Sequence, residues 1–151
     1  MTQPFVPNEE NPGTKVDVNE IWIQMKREHA ALSNELEEIC AMCARYKEED
    51  STPYQAKSLM ERIRDFMEDY GAHHEWEQAW HEQLSDVYPQ ETAREQQVRE
   101  TGYQMIMELC EEMMRSIKQK LVKEEPLSQA LAILQRRVAE QESAFQYRYQ
   151  P

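Results

Sequence analysis

Apolar side chains recur along this chain at intervals of three and four residues, in four separate stretches. In the first, Trp22, Met25, His29, Leu32, Leu36, Ile39, Cys43 and Tyr46 follow at spacings of 3, 4, 3, 4, 3, 4 and 3. In the second, Leu59, Ile63, Phe66, Tyr70, His73, Glu77, Trp80, Leu84 and Val87 are spaced 4, 3, 4, 3, 4, 3, 4 and 3. Such a period places these positions on one face of an α-helix. A third stretch carries Val98, Met105, Ile106, Leu109, Met113, Ile117 and Leu121, with Thr101 and Gly102 in its core-facing gap. A fourth carries Leu127, Leu131, Leu134, Val138, Gln141 and Phe145.

Start and stop signals divide the stretches. Asp17 with Glu20 makes a capping box for the first helix. Thr52, Pro53 and Gln55 open the second, and Pro89 ends it. The third is expected from about Glu91 to Lys123, and Pro126 suits the first position of the fourth. Gly71 marks a place where the second helix softens or kinks, or where a neighbouring backbone approaches. Residues 1–16, with three prolines and Gly13, read as an extended arm, leaving 17–151 as the folded unit. Only 3 glycines and no β-branched runs interrupt a composition of helix formers. The expectation is an all-α domain, an up-down-up-down four-helix bundle.

The formal net charge of -12 argues against nucleic acid and against anionic membrane surfaces as partners. No apolar run reaches the roughly 18 residues a membrane span needs, and the N-terminus has no secretory pattern. Three cysteines cannot all pair internally, so a reducing cytoplasm is expected. Cys40 and Cys43 form C-x-x-C inside a helix without a second pair, which reads as one core residue, Cys43, and its flank, Cys40.

The candidate chemistry lies where the stripes turn polar. His73 and Glu77, four apart, put an imidazole and a carboxylate on one helix face. A buried glutamate there needs a metal, a cation or a proton; the alternative is an opening of the bundle that lets water in. His29 occupies the core face of the first helix. In an antiparallel bundle its layer falls late in the second helix, early in the third near Thr101, and late in the fourth near Arg137 to Glu142. The polar interruptions of all four stripes are therefore expected to meet at one end. His74 and His81 fall off the stripe and read as surface residues.

Lys26-Arg27-Glu28-His29-Ala30-Ala31-Leu32 and His73-His74-Glu75-Trp76-Glu77-Gln78 resemble the E-H-x-x-L and H-x-x-W-E-E segments of the hemerythrin-like, HHE cation-binding family. That resemblance implies a four-helix bundle with a non-haem di-iron centre at one end, serving O2 binding, iron sensing or redox signalling. It matches His29 and His73 to histidine ligands, Glu77 to a bridging carboxylate and Glu142 to a second carboxylate. Thr101 and Arg137 stand where the family has histidines.

Three to four protein groups cannot fill the roughly ten to twelve positions of two irons. The expected metal set is His29, His73, Glu77 and Glu142, holding at most one weakly bound divalent ion, iron first, or no metal at all. A metal-free variant of the idea has Arg137 paired with Glu77 in the vacated volume. The expected role is a binding or regulatory module, with a protein partner as one option that the sequence does not identify. The alternative is a functional di-iron protein that binds O2 or senses iron or redox state. Catalysis ranks last, because no nucleophile motif or Gly-rich phosphate loop is present.

Overall fold

The computed structural model describes residues 17–48, 53–85, 91–119 and 125–150. They form four helices: α1 Val18–Glu48, α2 Pro53–Leu84, α3 Ala93–Lys118 and α4 Glu125–Tyr149. The arm at 1–16 and the expected roles of Thr52, Val87, Pro89 and Leu121 lie outside the described residues. Among the described residues no helix is long and apolar enough to cross a membrane.

Local signals account for the starts. The Asp17 carboxylate accepts from the backbone N–H of Asn19 at 2.9 Å and of Glu20 at 3.4 Å, which caps α1. At α3 the Thr92 hydroxyl accepts from the Glu95 N–H at 3.1 Å and donates to the Glu95 carboxylate at 3.3 Å. Thr92 is thus the N-cap of α3, which starts one residue later.

Each helix packs on the next and α1 closes against α4, leaving α1 and α3 diagonal. Cross-links fix the directions. His29, early in α1, bonds Glu142, late in α4; Arg99, early in α3, bonds Gln78, late in α2. The helices therefore alternate up and down, an all-α four-helix bundle.

The core divides in two. The larger cluster is built on Leu32, Leu36, Ile39, Leu59, Ile63, Phe66, Ile106, Met113, Leu127 and Leu134. The smaller one, at the end where α1 begins and α2 and α4 finish, is Ile21, Met25, Trp76, Trp80, Leu84, Phe145 and Tyr149. Each such side chain contributes about 1.5–3 kcal/mol by leaving water. α3 supplies nothing to the smaller cluster.

Two expectations change. The buried stripe of α3 is Arg99, Gly102, Ile106, Cys110, Met113 and Ile117, whereas Val98 and Met105 are 44% and 46% exposed. Thr101 is exposed too, so it does not stand in the core. At Gly71 the close neighbour is the Tyr103 hydroxyl, 3.4 Å from where a Cβ would lie, and not a backbone. Cys43 is fully buried and Cys40 half-buried, as their positions on the stripe require.

Candidate metal centre

Between the two apolar clusters lies a polar layer. It begins with α1, where the inner face runs Ile21, Met25, Glu28, Leu32 on one edge and Met25, His29, Leu32, Leu36 on the other. Glu28 and His29 are both 2% exposed. α2 supplies His73 and Glu77, 1% and 4% exposed, held one turn apart. One ligand atom from each of His29, His73 and Glu77 lies within 4.8 Å of the others.

The hydrogen bonds around these three explain their orientation. Nδ1 of His29 donates to Oε2 of Glu142 at 2.9 Å. Nδ1 of His73 donates to Oε1 of Glu28 at 2.9 Å, and the other oxygen of Glu28 accepts from Gln24 at 2.7 Å. Oε2 of Glu77 accepts from Nε2 of Gln141 at 3.1 Å. Neutral His29, with its proton on Nδ1, presents a lone pair at Nε2, and His73 would present one once an incoming ion displaces its Nε2 proton. Both Nε2 atoms are buried, and that of His29 makes no hydrogen bond. Nε2 of His73 lies 2.7 Å from Oε1 of Glu77, an ion pair within one turn of α2. The two rings meet edge to face, with centroids 5.0 Å apart.

The ionisable groups of the layer act strongly on one another. Burial opposes a charge on His73, but Glu77 and Glu28 outweigh it and raise its pKa to about 9. Burial likewise opposes the Glu77 carboxylate, and His73 outweighs that, lowering it to about 2. Burial pushes His29 the other way, down, reinforced by His73 beside it. Without an ion the layer thus holds one imidazolium, one neutral imidazole and their carboxylates.

The residues expected from the sequence do come together, with one rearrangement. Glu142 stands outside the three-residue group, on the far nitrogen of His29, and so orients that ring. Glu28, placed next to His29 in the motif but given no role from spacing, does the same for His73. Its signal was present: Ile21, Met25, Glu28 and Leu32 are spaced 4, 3 and 4, an inner stripe in its own right.

The expected pairing of Arg137 with Glu77 is not what the side chains do. Arg137 turns to Glu140 at 2.5 Å. The buried guanidinium of the layer is Arg99, 4% exposed, which donates to Glu91 at 3.0 and 3.2 Å and to Gln78 at 2.9 Å. Its charge helps keep Glu77 ionised.

His74 and His81 are half-buried and not surface residues. His74 lies flat on Tyr103, centroids 4.0 Å apart, and His81 stacks on Trp80 at 3.9 Å. Burial lowers both pKa values.

Two imidazole nitrogens and one carboxylate oxygen make a donor set for a single divalent ion, with positions left open. The buried His29, His73, Glu77 group can hold a metal ion. No family model, curated protein or solved structure matches this chain.

Proposed function

We propose that this bundle binds one divalent metal ion through Nε2 of His29, Nε2 of His73 and the carboxylate of Glu77, and that ion occupancy is the signal of a binding or regulatory module. One observation carries the reading. Both imidazoles have Nδ1 tied to a buried or half-buried carboxylate, while both Nε2 atoms are buried beside a third carboxylate, that of His29 without a hydrogen-bond partner and that of His73 in an ion pair with Glu77. Metal-ligating histidines are held in this way, because the carboxylate fixes the tautomer and makes the ring a better donor.

The absence of sulfur from the donor set favours iron(II), zinc or manganese over softer ions. Iron is the ion that the resemblance to the hemerythrin-like family supplies. The bundle architecture and the positions of His29, His73 and Glu77 support that resemblance. A dinuclear centre is disfavoured, since Glu28 and Glu142 are engaged by the histidine rings and Arg99 adds a cation to the layer. A role in a reducing compartment is consistent with three cysteines that form no disulfide.

Titration of chelator-treated protein with zinc, cobalt(II) and anaerobic iron(II) tests this directly. One equivalent should bind, with cobalt d–d bands of low coordination number, and both His73→Gln and Glu77→Gln should abolish it. Two equivalents of iron with oxo-bridge absorption would favour the di-iron alternative. No binding by any of the three ions would leave the layer as a structural network.

A further inference from the structure

The outer face of α3 and α4 carries two shallow grooves that run into one another, sharing Met105 and Ile133. We propose that this face binds a second copy of the chain, in a dimer whose twofold axis crosses the groove at Met105 and Ile133. The proposal goes beyond the metal reading and does not depend on it, since none of His29, His73 and Glu77 lines the groove.

The first ground is the middle of the groove. Val98 and Met105 are 44% and 46% exposed, two of the five large hydrophobic side chains left in water among the described residues. Half-buried Leu109 and Ile133 continue the strip. The four lie on neighbouring helices and form one apolar band. An apolar centre between polar ends is the usual build of a protein interface.

The second ground decides the occupant. Charge along the groove is separated by sign. At the end where α3 begins, the lining holds Arg94, Arg136 and Arg137 against Glu140 alone. Beyond Met105 it holds Glu108, Glu111 and Glu112 against Arg115 alone. Apart from half-buried Arg137, all of these side chains are exposed. The two helices are antiparallel, and Arg137 passes over Gly102, so the arginines of α4 lie beside the first half of α3 and strengthen the same end. The excess charge is equal and opposite at the two ends. Such a surface is complementary to itself. A twofold axis perpendicular to the helices brings the basic end of one copy to the acidic end of the other, and lays the apolar middle on its own image. A uniformly acidic partner would be repelled at one end, and a uniformly basic one at the other.

Size sets the strength. Residues 94 to 115 rise about 32 Å, and two helices with axes about 9 Å apart present a face about 20 Å wide. Roughly 600 Å² of each chain would be covered, near the lower limit of about 1,200 Å² in total for a specific interface. The dimer is therefore weak and reversible. The groove's own charges cancel, so the chain's -12 lies outside it. At about 0.15 M salt that charge is screened beyond about 8 Å.

Sedimentation velocity on the full chain, with a thiol reductant and about 0.15 M salt, tests this between about 1 μM and about 1 mM. The mass should rise reversibly from that of a monomer to that of a dimer. Met105→Glu sets two like charges beside the axis and should weaken association at least about tenfold. Circular dichroism should not change, because the residue is exposed. Arg94→Glu with Arg136→Glu makes both ends acidic, and Glu108→Lys with Glu111→Lys makes both ends basic. Either pair should leave the chain monomeric, and an equal mixture of the two proteins should dimerise. A chain with all four changes has its polarity reversed at both ends and should dimerise by itself. An undiminished dimer in the Met105→Glu protein, or a chain with all four changes that stays monomeric, would overturn the proposal. So would a monomeric parent chain at every concentration, which would leave the groove to a different protein.

Discussion

At the scale of single residues, the side chains that do most for the proposed centre are two that need not touch an ion. Glu28 and Glu142 hold the His73 and His29 rings by Nδ1 and leave Nε2 as the donor. Glu28 is the more buried of the two and is itself held by Gln24. Glu28→Gln keeps the shape but weakens the grip on the tautomer. It should cost about 10–100-fold in zinc affinity, the usual effect of losing a carboxylate behind a ligating histidine. Calorimetry on folded variant protein checks this, and unchanged affinity would count against the orientation assigned to His73. Much of the site was legible beforehand, because His29, His73 and Glu77 interrupt otherwise apolar stripes. Spacing alone could not show which carboxylates touch the metal face and which the back of a ring. That difference is a rotation of one side chain, and periodicity carries no information about rotation. The same blindness assigned a cationic role to Arg137, whereas Arg99 is the guanidinium that is buried.

At the scale of elements, α1 and α2 also meet through a pair of acids in the outer half of their interface. Partial burial, then the Asp69 carboxylate and its hydrogen bond, raise the Glu35 pKa to about 7 from the ordinary 4.5, against the pull of Arg62. A folded-state pKa above the unfolded value means stabilisation that is complete below about pH 4.5 and lost as pH rises through about 7. Glu35→Gln removes the titration. The variant should therefore gain on the parent chain between pH 4.5 and 8 in urea unfolding, and a pH-independent difference would show that burial and Asp69 do not raise the Glu35 pKa in the folded chain. A second test concerns α2 alone. A methyl group at Gly71 would reach only ordinary contact with Tyr103. Gly71→Ala should stabilise the chain by about 0.5–1 kcal/mol through helix propensity, measured by the same unfolding curves. The helices themselves were legible because α1 and α2 keep an unbroken period over eight or more positions. α3 was not read correctly in its first half. Val98 and Met105 look like core residues by polarity, but the neighbours they would need are replaced by Arg99, buried through Glu91 and Gln78, and by Gly102. A Cβ at Gly102 would lie 3.1 Å from the Arg137 side chain, which passes close over this position. Tertiary pairing decided what the apolar pattern could not.

At the scale of the whole molecule, the polar layer separates a large apolar cluster from a small one to which α3 adds nothing. The small cluster has less apolar contact to lose, so it should open more often than the rest. Native-state hydrogen exchange should find amides of 76–84 and 143–149 protected by a smaller free energy than those of 32–43, 59–70 and 106–117. Uniform protection would make the bundle a single cooperative unit. The proposed ligands lie at the seam between the two clusters, with His29 and His73 only 2% and 1% exposed. An ion is therefore expected to reach both imidazoles when the end of the bundle opens. Capture of zinc by the chelated protein should then speed up with zinc concentration only until the opening itself becomes the slow step, and beyond that the rate should be flat. The same gate delays departure, so that a weakly bound ion would still leave slowly. A bundle built this way would respond to how long the ion has been present, and not to each passing fluctuation in its supply.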